Sequence, residues 1–164
     1  LDLEQAAALD PNNADIQAAY GLVLLRSSDA ERAAYWLGKA ADSRPNDVSV
    51  AVALGQAHIA AGEYETGIST LQQAYVRFSY DSRVALAYAE VLANKGELLA
   101  AYEVIREAFQ RRPDSKLLVS LIAAARDVGR YQEAADLLEA LGQQTGSQVL
   151  LDEAAKMRRL LEQP

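Results

Sequence analysis

The chain has 164 residues, 51% hydrophobic and 24% charged, and its 16 Lys and Arg against 23 Asp and Glu give a formal net charge of -7. This apolar fraction can fill a core, which excludes bulk disorder; nine glycines and four prolines exclude a collagen-like chain. Without cysteine there is no disulfide, thiolate metal site or Cys nucleophile; no uncharged apolar run nears the roughly 18 residues of a membrane span, and the acidic balance argues against nucleic acid. The opening Leu1-Asp2-Leu3-Glu4 has no initiator Met and no basic stretch before an apolar one, so a longer precursor is expected.

Ala is the commonest residue and β-branched runs are few, which favours helix. Leu3 to Leu9 reads as the end of a helix whose partner is absent, a half repeat over 1–13. Asp10-Pro11-Asn12-Asn13 is a turn, because Pro cannot continue a helix and Asn favours caps. Helices are then predicted over about 14–27 and 29–43. The turn Pro45-Asn46-Asp47 separates them from helices over about 48–61 and 63–78, parted by Gly62 as a helix stop. Helices follow over about 82–95 and 97–111, with Gly96 between them. Past Pro113 come helices over about 116–128 and 131–143, parted by Gly129. Pro113 to Gly129 spans 16 residues where Pro45 to Gly62 spans 17, which places a one-residue deletion in the helix after Pro113. Gly146-Ser147 opens a last helix to about Glu162, with Leu150, Ala154, Met157 and Leu161 on its apolar face.

These elements recur every 34 residues. Pro11 and Pro45 are 34 apart and Pro113 lies twice that further on, with Ser79 at the halfway point. The same interval links Ala6, Ala40, Ala74 and Ala108; Leu3, Leu37, Leu71 and Ile105; Ala33, Gly67 and Ala101; and Gly21, Gly55 and Ala89. Five ladders at one period are the mark of a repeat array. Small residues at fixed places let helix backbones approach, so Gly21, Gly55 and Ala89 are expected to face Ala33, Gly67 and Ala101. Ala40, Ala74 and Ala108 are expected to receive the first helix of the next repeat.

This pattern resembles the tetratricopeptide repeat (TPR), a 34-residue helix–turn–helix unit. Leu54-Gly55, Gly62-Glu63-Tyr64, Ala74 and Asp10-Pro11-Asn12-Asn13 carry the likeness, which runs from residue 1 to about 143. Gln17, Ala51 and Ala85 depart from it where the family has an aromatic early in the first helix. The resemblance implies an all-α, right-handed superhelical solenoid of antiparallel helix pairs with about nine helices. It would form a single domain over 1–164, within a longer bacterial-type array. Its parts are a half repeat (1–13), full repeats at 14–47, 48–81 and 82–115, a degenerate repeat at 116–146, and a C-terminal element at 147–164. That last element is either a capping helix or the first helix of a further repeat.

No catalytic constellation emerges, so the expectation is no enzyme, no metal and no cofactor. His58 is the only histidine, with no second His and no Cys to join it. Asp29, Glu63 and Glu97 recur in every full repeat, which fits acids that accept amide hydrogen bonds at helix starts. Tyr20, Tyr64, Tyr88 and Tyr131 also recur and read as packing residues, with Trp36 partly buried on the convex side. The pairs Arg111-Arg112 and Arg158-Arg159 complement helix C-termini.

The family resemblance places a ligand surface on the concave stripe of the first helices. Here the stripe brings Leu22, Arg26, Val52, Gln56, Ile59, Arg83, Leu86, Glu90 and Asn94 forward as candidate partner-binding residues. Apolar residues with arginines beside them suit an amphipathic helix or an extended peptide; the alternative is that they pack between neighbouring first helices. The carboxylate clamp of Lys and Asn that some family members carry is absent, since only Asn94 is of the right type. The functional expectation is a protein–protein interaction module or assembly scaffold; the alternative is a self-associating array that oligomerises through its terminal helices. No nucleic acid partner or membrane insertion is expected, and nothing in the chain names a compartment.

Overall fold

A computed structural model describes residues 2–161 and forms ten α-helices, with no strand among the described residues. They are α1 (Leu3–Leu9), α2 (Ala14–Arg26), α3 (Ala30–Ser43), α4 (Val48–Ala60), α5 (Tyr64–Arg77), α6 (Ser82–Asn94), α7 (Leu98–Arg111), α8 (Ser115–Asp127), α9 (Tyr131–Thr145) and α10 (Gln148–Leu161). This is one helix more than the nine expected. Glu162, the expected end of the last helix, lies outside the described residues.

Two kinds of turn alternate, each built from local chemistry. Before α2, α4, α6 and α8 stands an Asn or Asp whose side chain caps the helix. Ser49 and Val50 N–H donate to Asp47 Oδ1 at 2.9 and 3.2 Å. Asp15 and Ile16 N–H donate to Asn13 Oδ1, Arg83 N–H to Asp81 Oδ1, and Leu117 N–H to Asp114 Oδ1. These bonds satisfy amides that have no partner inside the helix. At the other ends of α2, α4, α6 and α8, a residue at positive φ reverses the chain: Ser28, Gly62, Gly96 or Gly129. The next amide reaches back into the last turn, as Asp29 N–H does to Leu24 O (3.0 Å) and Glu63 N–H to His58 O (2.8 Å).

The caps correct two expectations. Asp29, Glu63 and Glu97 occupy the N-cap positions of α3, α5 and α7, yet none makes a side-chain capping bond. They pair with Arg32, His58 and Lys95 instead. The capping ladder is Asn13, Asp47, Asp81 and Asp114, whose last step is one residue short. The deletion therefore falls in the turn after Pro113 and not in a helix: α8 has 13 residues, as do α2, α4 and α6.

The chain divides into two compact units, Leu1–Tyr88 and Ala89–Pro164, with the boundary inside α6. In the first unit each helix from α1 to α5 packs on the next, and α2 also meets α4. Its core joins Ala7, Tyr20, Leu24, Ala33, Leu37, Ala53 and Ala57, beside a smaller cluster of Ala18, Ala40 and Val50. The helix pairs lock by a knob on a glycine. A methyl at Gly21 would lie 2.7 Å from Leu37 Cγ, and one at Gly55 would lie 2.5 Å from Leu71 Cγ. Gly55 thus receives a leucine knob in addition to facing Gly67, whose own methyl would come 2.8 Å from Gly55 O. Leu37 and Leu71 are fully buried, each contributing about 1.5–3 kcal/mol of apolar burial.

In the second unit α7 packs on α8, α8 on α9 and α9 on α10, and α7 also touches α9. Leu117, Leu121, Leu138 and Met157 are fully buried. Gly142 continues the alanine ladder of Ala40, Ala74 and Ala108, and a methyl there would meet Leu151 Cδ2 at 2.8 Å. Leu150, Ala154 and Met157 of α10 are buried as expected, but Leu161 is exposed.

Candidate partner-binding face

The stripe residues of the first unit lie on α2, α4 and the start of α6. Leu22 is half-buried and packs on the first unit's core. Arg26 is exposed in the last turn of α2. On α4, Val52 and Ile59 are half-buried and Gln56 is exposed. Ile59 Cγ1 lies where a methyl at Gly67 would meet it at 2.5 Å, so part of this side chain also serves the α4–α5 crossing. Leu86 is half-buried and Arg83 exposed. Glu90 and Asn94 are exposed and belong to the second unit.

Charge is sparse on these helices. None of the 13 residues of α4 is Asp, Glu, Lys or Arg. Asp15 accepts from Arg44 at 2.7 Å, and Arg44 pairs with Asp47 at the same distance. Arg83 is held by Asp81 at 2.7 Å and donates to Ser49 Oγ at 3.0 Å, tying one stripe position to its equivalent in the preceding repeat. The hydrogen bond to Asp81 raises the Arg83 pKa against the opposing effect of burial. A guanidinium fixed in this way is pre-oriented over the N-terminal end of α4.

The other chemistry-bearing residues have structural surroundings. His58 Nδ1 lies 2.6 Å from Glu63 Oε2 across the α4–α5 turn. Tyr20 is buried, accepts from Arg32, and packs at a tilt, 5.5 Å between ring centres, against the half-buried Trp36. Glu4 closes this group with a 2.8 Å ion pair to Arg32, and hydrogen bonds with Tyr20 and Arg32 lower its pKa. Tyr64 corrects the packing expectation, being 62% exposed at the first position of α5. Arg158 pairs with Asp136 and Glu139 on α9, so it binds helices together as well as complementing a helix end. Among the described residues no three His, Cys, Asp or Glu side chains are grouped as metal ligands, and no helix is long and apolar enough to cross a membrane.

Sequence reasoning missed one group on α3. Lys39 Nζ lies 4.7 Å from the ring centre of Tyr35 and 5.4 Å from that of Trp36. The signal was present as Tyr35-Trp36 followed one turn later by Lys39.

Residues 3–74 match the family model for anaphase-promoting complex, cyclosome, subunit 3, and residues 52–116 match the model for the tetratricopeptide repeat. The chain is a tetratricopeptide repeat protein. Solved structures share the fold. A crystal structure of MamA aligns with TM-score 0.68 at 17% identity, covering 98% of this chain and 86% of the other. A thermophilic TPR protein of Thermus thermophilus aligns with TM-score 0.63 at 17% identity, covering 98% and 88%. Pseudomonas aeruginosa pilF aligns with TM-score 0.63 at 20% identity, covering 92% and 69%. No curated protein matches the sequence. The tetratricopeptide repeat is an interaction scaffold, and this is the functional class of the TPR chain described here.

Proposed function

We propose that this TPR protein grips a partner polypeptide along the first-helix stripe of its first unit, through Leu22, Arg26, Val52, Gln56, Ile59, Arg83 and Leu86. Glu90 and Asn94 are further candidate contacts on the second unit's part of α6. The observation that supports this reading is α4. It has no charged Asp, Glu, Lys or Arg side chain, and keeps Val52 and Ile59 only half-buried around an exposed Gln56. A surface helix normally sets charge on its outer face. Bare apolar positions with a polar amide at their centre and arginines to either side suit an amphipathic or extended segment.

The test is site-specific photo-crosslinking in the source cells, with the crosslinker at Gln56 and, as control, at exposed Gln72 on α5. A partner captured from Gln56 and not from Gln72 is expected. Val52→Glu with Arg83→Glu should abolish that capture while circular dichroism and the melting temperature stay nearly unchanged. Capture only from Gln72, or undiminished capture by the double variant, overturns the reading.

Self-association is a second reading, favoured by exposed Val149, Leu160 and Leu161 on α10. Light scattering across concentrations tests it: a chain that stays monomeric throughout excludes it.

A further inference from the structure

Tyr20, Leu54 and Tyr88 hold one position in three consecutive repeats. Around Tyr20 the place is full, because its ring packs at a tilt against Trp36, centre to centre 5.5 Å. Tyr88 also meets a ring, that of Tyr75, at 5.8 Å. The middle repeat has neither pair. Leu54 stands in place of the tyrosines, Thr70 is the counterpart of Trp36, and Ala41 is the counterpart of Tyr75. A cleft of about 310 Å³ opens there between α3, α4 and α5. Buried or half-buried Ala51, Leu54, Ala74 and Phe78 line it, together with the exposed Asp42 and Gln73. The Arg44–Asp47 ion pair and Arg77 stand at its open side, and its volume is room enough for a phenyl or phenol group, since about 150 Å³ accepts a benzene ring.

We propose that this cleft takes an aromatic side chain, tyrosine or phenylalanine, presented by a partner polypeptide. The guest ring would fill from outside the place that Tyr20 and Tyr88 fill from within their own repeats. Phe78, whose ring carries the Arg77 guanidinium at 5.6 Å, gives the place an aromatic wall, and Asp42 a carboxylate that can accept from a phenol hydroxyl. Leu54 is two residues from Val52, about 200° around α4, so this is a different surface from the stripe and stands without it.

The test uses the whole chain with ¹³C-labelled Leu and Ala methyl groups, titrated with N-acetyl-tyrosinamide and, separately, N-acetyl-leucinamide. Saturable shifts of the Leu54 and Ala74 methyls are expected with the tyrosine amide, and at least several-fold weaker binding with the leucine amide. Leu54→Tyr should fill the cleft, abolish binding of the tyrosine amide and raise the melting temperature by about 2–4 °C. Thr70→Trp, which rebuilds the other half of the Tyr20–Trp36 pair, should also block binding. Unmoved methyls, equal response to both amides, or full binding by a folded Thr70→Trp chain overturns the proposal. A fall in melting temperature for Leu54→Tyr shows that the cleft lacks the shape of a ring and overturns it as well.

Discussion

Leu71 is seated on Gly55 so closely that a single methyl on the glycine would lie 2.5 Å from Leu71 Cγ and 2.8 Å from its Cδ2. The branch point of a buried leucine has no free direction in which to retreat. Gly55→Ala should therefore cost about 1–3 kcal/mol despite the better helix propensity of alanine. Gly38, on α3, has nothing within 4 Å of the same added methyl. Gly38→Ala should stabilise by about 0.5–1 kcal/mol. Urea denaturation of the two variants reads both signs, and a stabilising Gly55→Ala would refute the knob-on-glycine packing.

Ser28 takes the left-handed conformation, φ 63°, at the place where later repeats have Gly62, Gly96 and Gly129. A side chain is strained there in a way glycine is not. Ser28→Gly should stabilise by about 0.5–1 kcal/mol, read as a rise of a few degrees in melting temperature. An unchanged or lower value would show that the Ser28 side chain contributes more than its strain costs.

The two sets of helix-start acids should differ in weight. Asp47 caps α4 through two amides, so Asp47→Ala should cost about 1 kcal/mol. Glu63 makes no capping bond and is half-exposed beside His58, so Glu63→Ala should stay within about 0.5 kcal/mol of the parent. Equal costs would put the capping ladder in the wrong place.

Tyr102 is fully buried, with no hydrogen-bond partner for its hydroxyl. Burial, and then the nearby Glu133 carboxylate, push its pKa up to about 12. An unfolded tyrosine titrates near pH ~10. The folded chain thus holds the proton more tightly, and the associated stability is complete below about pH 10 and lost as pH rises towards about 12. Tyr102→Phe has no proton to lose there. Denaturation at pH 8, 10 and 11 should show the variant gaining on the parent by about 1 kcal/mol over the last step. At pH 8 it should be no less stable, since no hydrogen bond is removed. A constant gap across the series would count against the buried hydroxyl as the cause.

Helices and turns were legible because Pro11, Pro45, Pro113 and the recurring glycines act locally, within a few residues of themselves. What the sequence hid depends on backbone angles and lean. Asp47 and Asp29 both precede a helix, and only ψ separates them. At 104° the Asp47 chain is extended and its carboxylate returns to the amides, whereas at 69° Asp29 follows a left-handed residue and its carboxylate does not. Tyr64 shares its 34-residue spacing with Leu98, and both stand exposed at the first position of a helix. A recurring position is not always a core position. Ile59 was legible as a stripe residue, but helical periodicity gives the angle around the axis and not the reach of a branched side chain, which here extends to Gly67.

The shortened connection before α8 shows where this architecture tolerates a change of length. A residue lost inside a helix would swing every later side chain of that helix through about 100°, turning knobs away from their holes. Lost from the connection, it leaves α8 with its 13 residues and Leu117, Leu121 and Ala125 still turned inward. Insertions and deletions in such a chain should therefore collect in the short links, and those links are the natural points at which to graft a foreign loop.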